Sequence, residues 1–243
     1  MTLPATPLAA RGVGEVAFAA SLPEVVVALF GLLTHLGNPY LLLGLVAAAY
    51  LFGDRVGLDR RGAAFALGLG LCAIGLVIGL KQFFGLPRPP IAARDGLGFP
   101  SGHALGATAF WGGVALLADR GRKRRRLAAA GVVIVVVAAS RVLIGVHYLV
   151  DVVAGVGLGV ALLAVTVGFG PGFDVDDAVG PLATPTHRHV TGVFALALAL
   201  GLAGLAVAPD EPELLLGVGT AAGALAGWWR VGRRAAAARG AGS

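Results

Sequence analysis

The chain has 243 residues, 57% of them hydrophobic and only 13% charged, with 19 Lys and Arg against 13 Asp and Glu. A soluble domain carries about 25% charged residues, so this composition, at a mean hydropathy of +0.86, excludes an ordinary water-soluble enzyme. The formal charge of +6 reads as membrane orientation and not as nucleic-acid binding, because basic loops mark the cytoplasmic face of membrane proteins. The single cysteine, Cys72, excludes an intrachain disulfide.

In chain order, residues 1–21 form an N-terminal segment with an interfacial helix from about residue 13, and no cleavable signal is recognised in it. A membrane-crossing helix needs about 20 mostly apolar residues. On that rule eight spans are expected, at 22–36, 39–52, 62–84, 103–118, 127–146, 148–169, 189–208 and 213–229. Small residues (Ala, Gly) throughout favour close helix packing. The fold class is all-α, a polytopic membrane bundle. Its domains are a six-span core at 22–169, a cytoplasmic loop at 170–189, two additional spans at 190–229 and a basic tail at 230–243.

Orientation follows from the loops "DRVGLDRR" (54–61) and "DRGRKRRR" (119–126) and from the tail arginines. With these inside, Arg11 and Arg188 also fall inside, giving 15 of the 19 basic residues. Lys81, Arg88, Arg94 and Arg141 fall outside. Asp174, Asp176, Asp177, His187 and His189 lie in or next to the 170–189 loop. Their spacing matches no metal site, so they read as a solvated loop. Arg94 and Asp95 read as solvated too.

The charges outside call for explanation, since an arginine at mid-bilayer costs about 2.5–3.5 kcal/mol. They sit in three polar clusters, all at the outer ends of spans: "KQFFGLPRP" with Lys81 and Arg88, "PSGH" with Ser101, Gly102 and His103, and "SRVLIGVHYLVD" with Ser140, Arg141, His147 and Asp151. Three cations suit a phosphate, to which arginine presents a two-pronged donor. Ser101 adds a hydroxyl, and Gly102 opens a helix whose free N–H groups favour an anion. His147 and Asp151 are four residues apart and share a helical face. Asp151 can therefore fix the tautomer of His147 and leave the other ring nitrogen free for nucleophilic attack. His103 is placed to act as general acid. This scheme needs no metal and no cofactor.

Lys-x6-Arg-Pro, Pro-Ser-Gly-His and Ser-Arg-x5-His-x3-Asp, in this order, resemble the three signatures of the type 2 phosphatidic acid phosphatase superfamily. The resemblance implies a membrane lipid phosphatase, with His147 forming a phosphohistidine, Asp151 orienting it and His103 as general acid. It implies Lys81, Arg88, Ser101, Gly102 and Arg141 as the phosphate cradle. The expected substrate is a lipid phosphate or a prenyl diphosphate, met in the bilayer from the extracytoplasmic side of the cell membrane. Two alternatives are a lipid phosphotransferase using the same intermediate and a non-catalytic phosphate-lipid binding or transport protein. The soluble haloperoxidases, which belong to the same superfamily, are disfavoured by the spans.

Overall fold

A computed structural model of the chain describes residues 11–53, 57–93, 95–174 and 179–240, with side chains to residue 233. Arg94, Asp176 and Asp177 lie outside the described residues. The architecture is helical throughout: α1 (Glu15–Ala20), α2 (Glu24–Leu33), a 3-10 turn (Thr34–Gly37), α3 (Pro39–Phe52), α4 (Arg60–Phe84), α5 (Gly102–Leu117), α6 (Lys123–Leu143), α7 (Leu149–Gly168), α8 (His187–Val207) and α9 (Pro212–Gly240). Five of these, α4, α6, α7, α8 and α9, are long and apolar enough to cross a membrane. The protein is a multi-pass membrane protein.

Helix α4 is the centre of the bundle. Asp59 caps its start, accepting a hydrogen bond from Gly62 N at 2.7 Å, and Gly85 ends it in a left-handed conformation (φ 61°). At 25 residues it is about 37 Å long, enough to clear a hydrocarbon layer of about 30 Å. Its side chains Phe65, Leu69 and Cys72 are fully buried, in one core with Leu105 and Ala109 of α5, Leu163 and Val167 of α7, and Val193 and Phe194 of α8. The two C-terminal spans are thus packed onto the core through α8. By contrast α6 and α9 turn Val132, Val135, Leu215 and Leu216 outward, an apolar perimeter that lipid tails can cover.

The bundle has two distinct ends. At one end Ser101 N donates to Asp151 O at 2.9 Å, joining the starts of α5 and α7. At the other, Asp119 N donates to Gly57 O at 2.8 Å and Leu182 N to Leu116 O at 2.7 Å. The basic loop lies at this second end. Two of its cations have structural work there: Lys123 Nζ donates to Asp174 O at 2.9 Å, and Arg126 reaches the carbonyls of Ala115, Gly121 and Gly180. His187 stacks on Trp228, and His189 Nδ1 accepts from Thr186 N at 3.2 Å at the start of α8. The loop histidines are therefore built into helix contacts and are not simply solvated.

The first two expected spans differ from what the hydropathy suggested. Helix α2 has 10 residues and α3 has 14, about 15 and 21 Å, so neither alone spans about 30 Å. They form a pair bent by 45° at a short break. Asn38 makes the break: its Oδ1 accepts from Tyr40 N and Leu41 N, with Pro39 at the first position of α3. The segment before α2 lies beside Gly145, and Thr34 after it bonds Arg141. Both ends of α2 therefore sit at the Ser101–Asp151 end of the bundle, and only α3 leads away from it.

Candidate active site

Each site residue is placed by an element boundary. The loop from Gly85 to Gly98 folds back on itself, with Gly98 N donating to Leu86 O at 2.7 Å and Arg88 N to Gly96 O at 3.2 Å. This presents Arg88 over the end of α4, where Lys81 Nζ donates to Leu97 O at 2.9 Å. Ser101 precedes the first turn of α5, and His103 lies within that turn. Gly145 turns the chain between α6 and α7 with φ 72°, a conformation that glycine adopts at no steric cost. That turn delivers His147 beside Asp151.

Asp151 is fully buried and occupied on both oxygens. Its Oδ2 faces His147 Nδ1 at 3.3 Å, long for such a pair, and accepts from Tyr148 N at 3.0 Å. Its Oδ1 accepts from Arg11 Nε at 2.9 Å. Arg141, 8% exposed, donates from Nη1 to Thr34 Oγ1 at 2.8 Å. Arg88 Nη1 approaches Val146 O at 3.5 Å. The structure thus brings the three sequence clusters to one end of the bundle: Ser101 N meets Asp151 O, and Arg88 reaches the backbone beside His147.

Two observations describe what this arrangement can hold. Four cations, Lys81, Arg88, Arg141 and Arg11, lie at the end of the bundle that holds the buried carboxylate of Asp151, and Arg11 pairs with it directly. A cluster of basic side chains suits an anionic ligand. Ser101 Oγ is also buried and makes no hydrogen bond, although buried hydroxyls are normally satisfied. A Cβ on Gly102 would meet Val77 at 3.4 Å, so the start of α5 packs against α4.

Arg11 and Thr34 were not anticipated. Arg11 was expected at the end of the bundle that carries the basic loops. It lies at the opposite end, because the buried Asp151 carboxylate and the Pro87 carbonyl, 2.8 Å from Nη2, engage its guanidinium. The only signal available was its isolation from the other arginines, followed by "GVG".

Comparison with known proteins bears on the family. The PAP2 superfamily model matches residues 62–172. Among solved structures, the chain is similar to a transmembrane PAP2-type phosphatidylglycerolphosphate phosphatase from Bacillus subtilis. The identity is 26% and the TM-score 0.56, over 64% of this chain and 82% of that one. LpxE from Aquifex aeolicus aligns at 19% identity and TM-score 0.49, over 62% of this chain and 90% of that one. No curated protein matches. Arg11 and Thr34 both fall outside the range matched to the PAP2 superfamily.

Proposed function

We propose that the protein is a metal-independent membrane phosphatase that hydrolyses a lipid phosphate or prenyl diphosphate through a phosphohistidine. The observation that carries this reading is the buried, partnerless Ser101 Oγ at the start of α5, which is joined by Ser101 N to Asp151 of the His147–Asp151 pair. A phosphoryl group there takes hydrogen bonds from Ser101 and the start of α5, with Lys81, Arg88 and Arg141 neutralising its oxygens. Their charge does the work that a metal ion does in other phosphoryl-transfer sites.

With Nδ1 held toward Asp151, the Nε2 lone pair of His147 attacks phosphorus. The P–O bond to the lipid breaks, and His103 donates its proton to the departing oxygen. Water then attacks the phosphohistidine, His103 takes a proton back, the P–N bond breaks and inorganic phosphate leaves. Asp151 balances the positive charge on the phosphorylated ring.

The lipid class is supported by an apolar groove of about 470 Å³ beside Tyr148, lined by Gly12, Val16, Ala17, Pro90 and Ile91. A tail there keeps its head group within reach of His147. The similar Bacillus protein is named for a lipid phosphate. The extracytoplasmic placement of the site rests on the basic loop at the opposite end of the bundle.

The test is phosphate release by purified protein with EDTA present. It compares phosphatidate, a prenyl diphosphate and glucose 6-phosphate in one detergent, with trapping of labelled phosphoenzyme. The lipids should turn over, and His147→Ala should trap no label. Equal turnover of the sugar phosphate, or label trapped in His147→Ala, would refute the proposal.

A further inference from the structure

Asp151 needs more than the core to hold it. Its Oδ2 serves His147 and the Tyr148 N–H, while its Oδ1 is engaged by Arg11, 140 residues away. Arg11 is 11% exposed and Asp151 fully buried, so the pair is shielded from solvent. The same guanidinium donates to Pro87 O, next to Arg88, and lies 4.7 Å from the centre of the Tyr148 ring. One side chain thus touches the loop that presents Arg88, the residue after His147 and the carboxylate that faces His147.

The neighbouring residues keep this arm in place. Glu15 accepts from Val13 N at 2.6 Å through Oε2 and from Leu149 N at 3.0 Å through Oε1. It thereby ties the start of α1 to the start of α7. A Cβ on Gly12 would come within 3.1 Å of the Tyr148 ring, so the backbone beside Arg11 lies close against that ring.

We propose that Arg11 is a positioning residue for phosphoryl transfer, fixing the Asp151 carboxylate so that Oδ2 stays on His147 Nδ1 and the nucleophile keeps Nε2 bare. On this view the working site is the PAP2 core plus an N-terminal arm that the family range does not contain. The proposal rests on the phosphohistidine reading above. Lysine is an incomplete substitute. Its single ammonium can reach Oδ1, but it lacks the flat fork that spans Oδ1 and Pro87 O and lies over Tyr148.

The test uses the full-length protein in detergent. Arg11→Ala should lower kcat on a lipid phosphate by about 10²-fold, the scale on which a misplaced catalytic group costs rate, with little change in KM. Arg11→Lys should recover part of that loss. In ¹⁵N-histidine spectra, independent of turnover, wild-type His147 should carry its proton on Nδ1, and Arg11→Ala should shift it toward a mixture of tautomers. An unchanged His147 spectrum would overturn the proposal. So would a kcat equal to wild type, or Arg11→Lys matching Arg11→Ala in both kcat and loss of thermal midpoint. Label trapped in His147→Ala, with the Arg11→Ala spectrum shifted as expected, would instead count against the phosphohistidine and leave the positioning of His147 standing.

Discussion

The polar groups at the head of the bundle divide into those that hold charge and those that move protons, and substitutions should separate them. Ser101→Ala removes a hydroxyl that has no protein partner, so it leaves the fold intact. It should weaken binding of vanadate, a mimic of the five-coordinate phosphoryl transition state, and show it as a raised inhibition constant. His103→Ala should lower kcat by about 10²–10⁴-fold on an ester with a poor leaving group. The loss should be much smaller on an aryl phosphate, whose leaving group needs little protonation. Comparing the two substrates reads this directly, and equal losses would remove His103 from the acid role. The eight residues expected at the site could be grouped from sequence because they lie in three short runs at the ends of predicted helices. Arg11 and Thr34 could not be, because each acts across more than 100 residues and carries no local pattern. An isolated arginine or threonine looks the same in sequence whether it faces solvent or a buried carboxylate.

At the level of helices, α7 depends on what meets its first turn. Glu15 sits there as an anion at a helix N-terminus, a favourable place for negative charge. Partial burial and the nearby Asp151 push its carboxyl up, but the N–H groups of Leu149 and Val13 outweigh them and hold it below the ordinary 4.5. A carboxyl lowered in the folded state contributes stability above its unfolded pKa, and that contribution is lost as pH falls through the folded value. The contact between α1 and α7 should therefore weaken below about pH 4.5. Thermal unfolding at pH 6 and pH 4 should show a drop that is smaller in Glu15→Gln. The pairing of α5 with α7 is stricter. A Cβ on Gly155 would come within 2.5 Å of Ser101 O and 3.1 Å of Ala104, so Gly155→Val should destabilise by about 1–3 kcal/mol or more and cost activity by prising Ser101 from Asp151. The long helices were readable from hydropathy because α4 and α6 to α9 are each apolar over enough residues. The 24–52 stretch misled because hydropathy registers oiliness and not direction. Asn38 and Pro39 break it, and both ends of α2 return to the same end of the bundle.

For the molecule as a whole, the distribution of charge between the two ends sets a topology that can be measured. In a Cys72→Ser background, Ala93→Cys at the site end should react with an impermeant thiol reagent in intact cells, and Arg120→Cys at the basic end should not. The opposite pattern would reverse the proposed orientation. With Arg11 at the site end, 14 of the 19 basic residues still fall on the basic-loop side, which keeps the proposed orientation, and the arm bearing Arg11 must share a compartment with Asp151. That requirement also bears on biogenesis. Arg11 is made 140 residues before its partner Asp151, so the pair can close only after α3 to α6 and the start of α7 have been synthesised. With the site on the outside, the arm must be exported ahead of those helices and wait there until α7 arrives. A fast-folding protein fused to the N-terminus would hold the arm on the wrong side of the membrane. The helices could still insert, but the enzyme would lack its clasp, whereas the same fusion at the C-terminus would leave the arm free to cross.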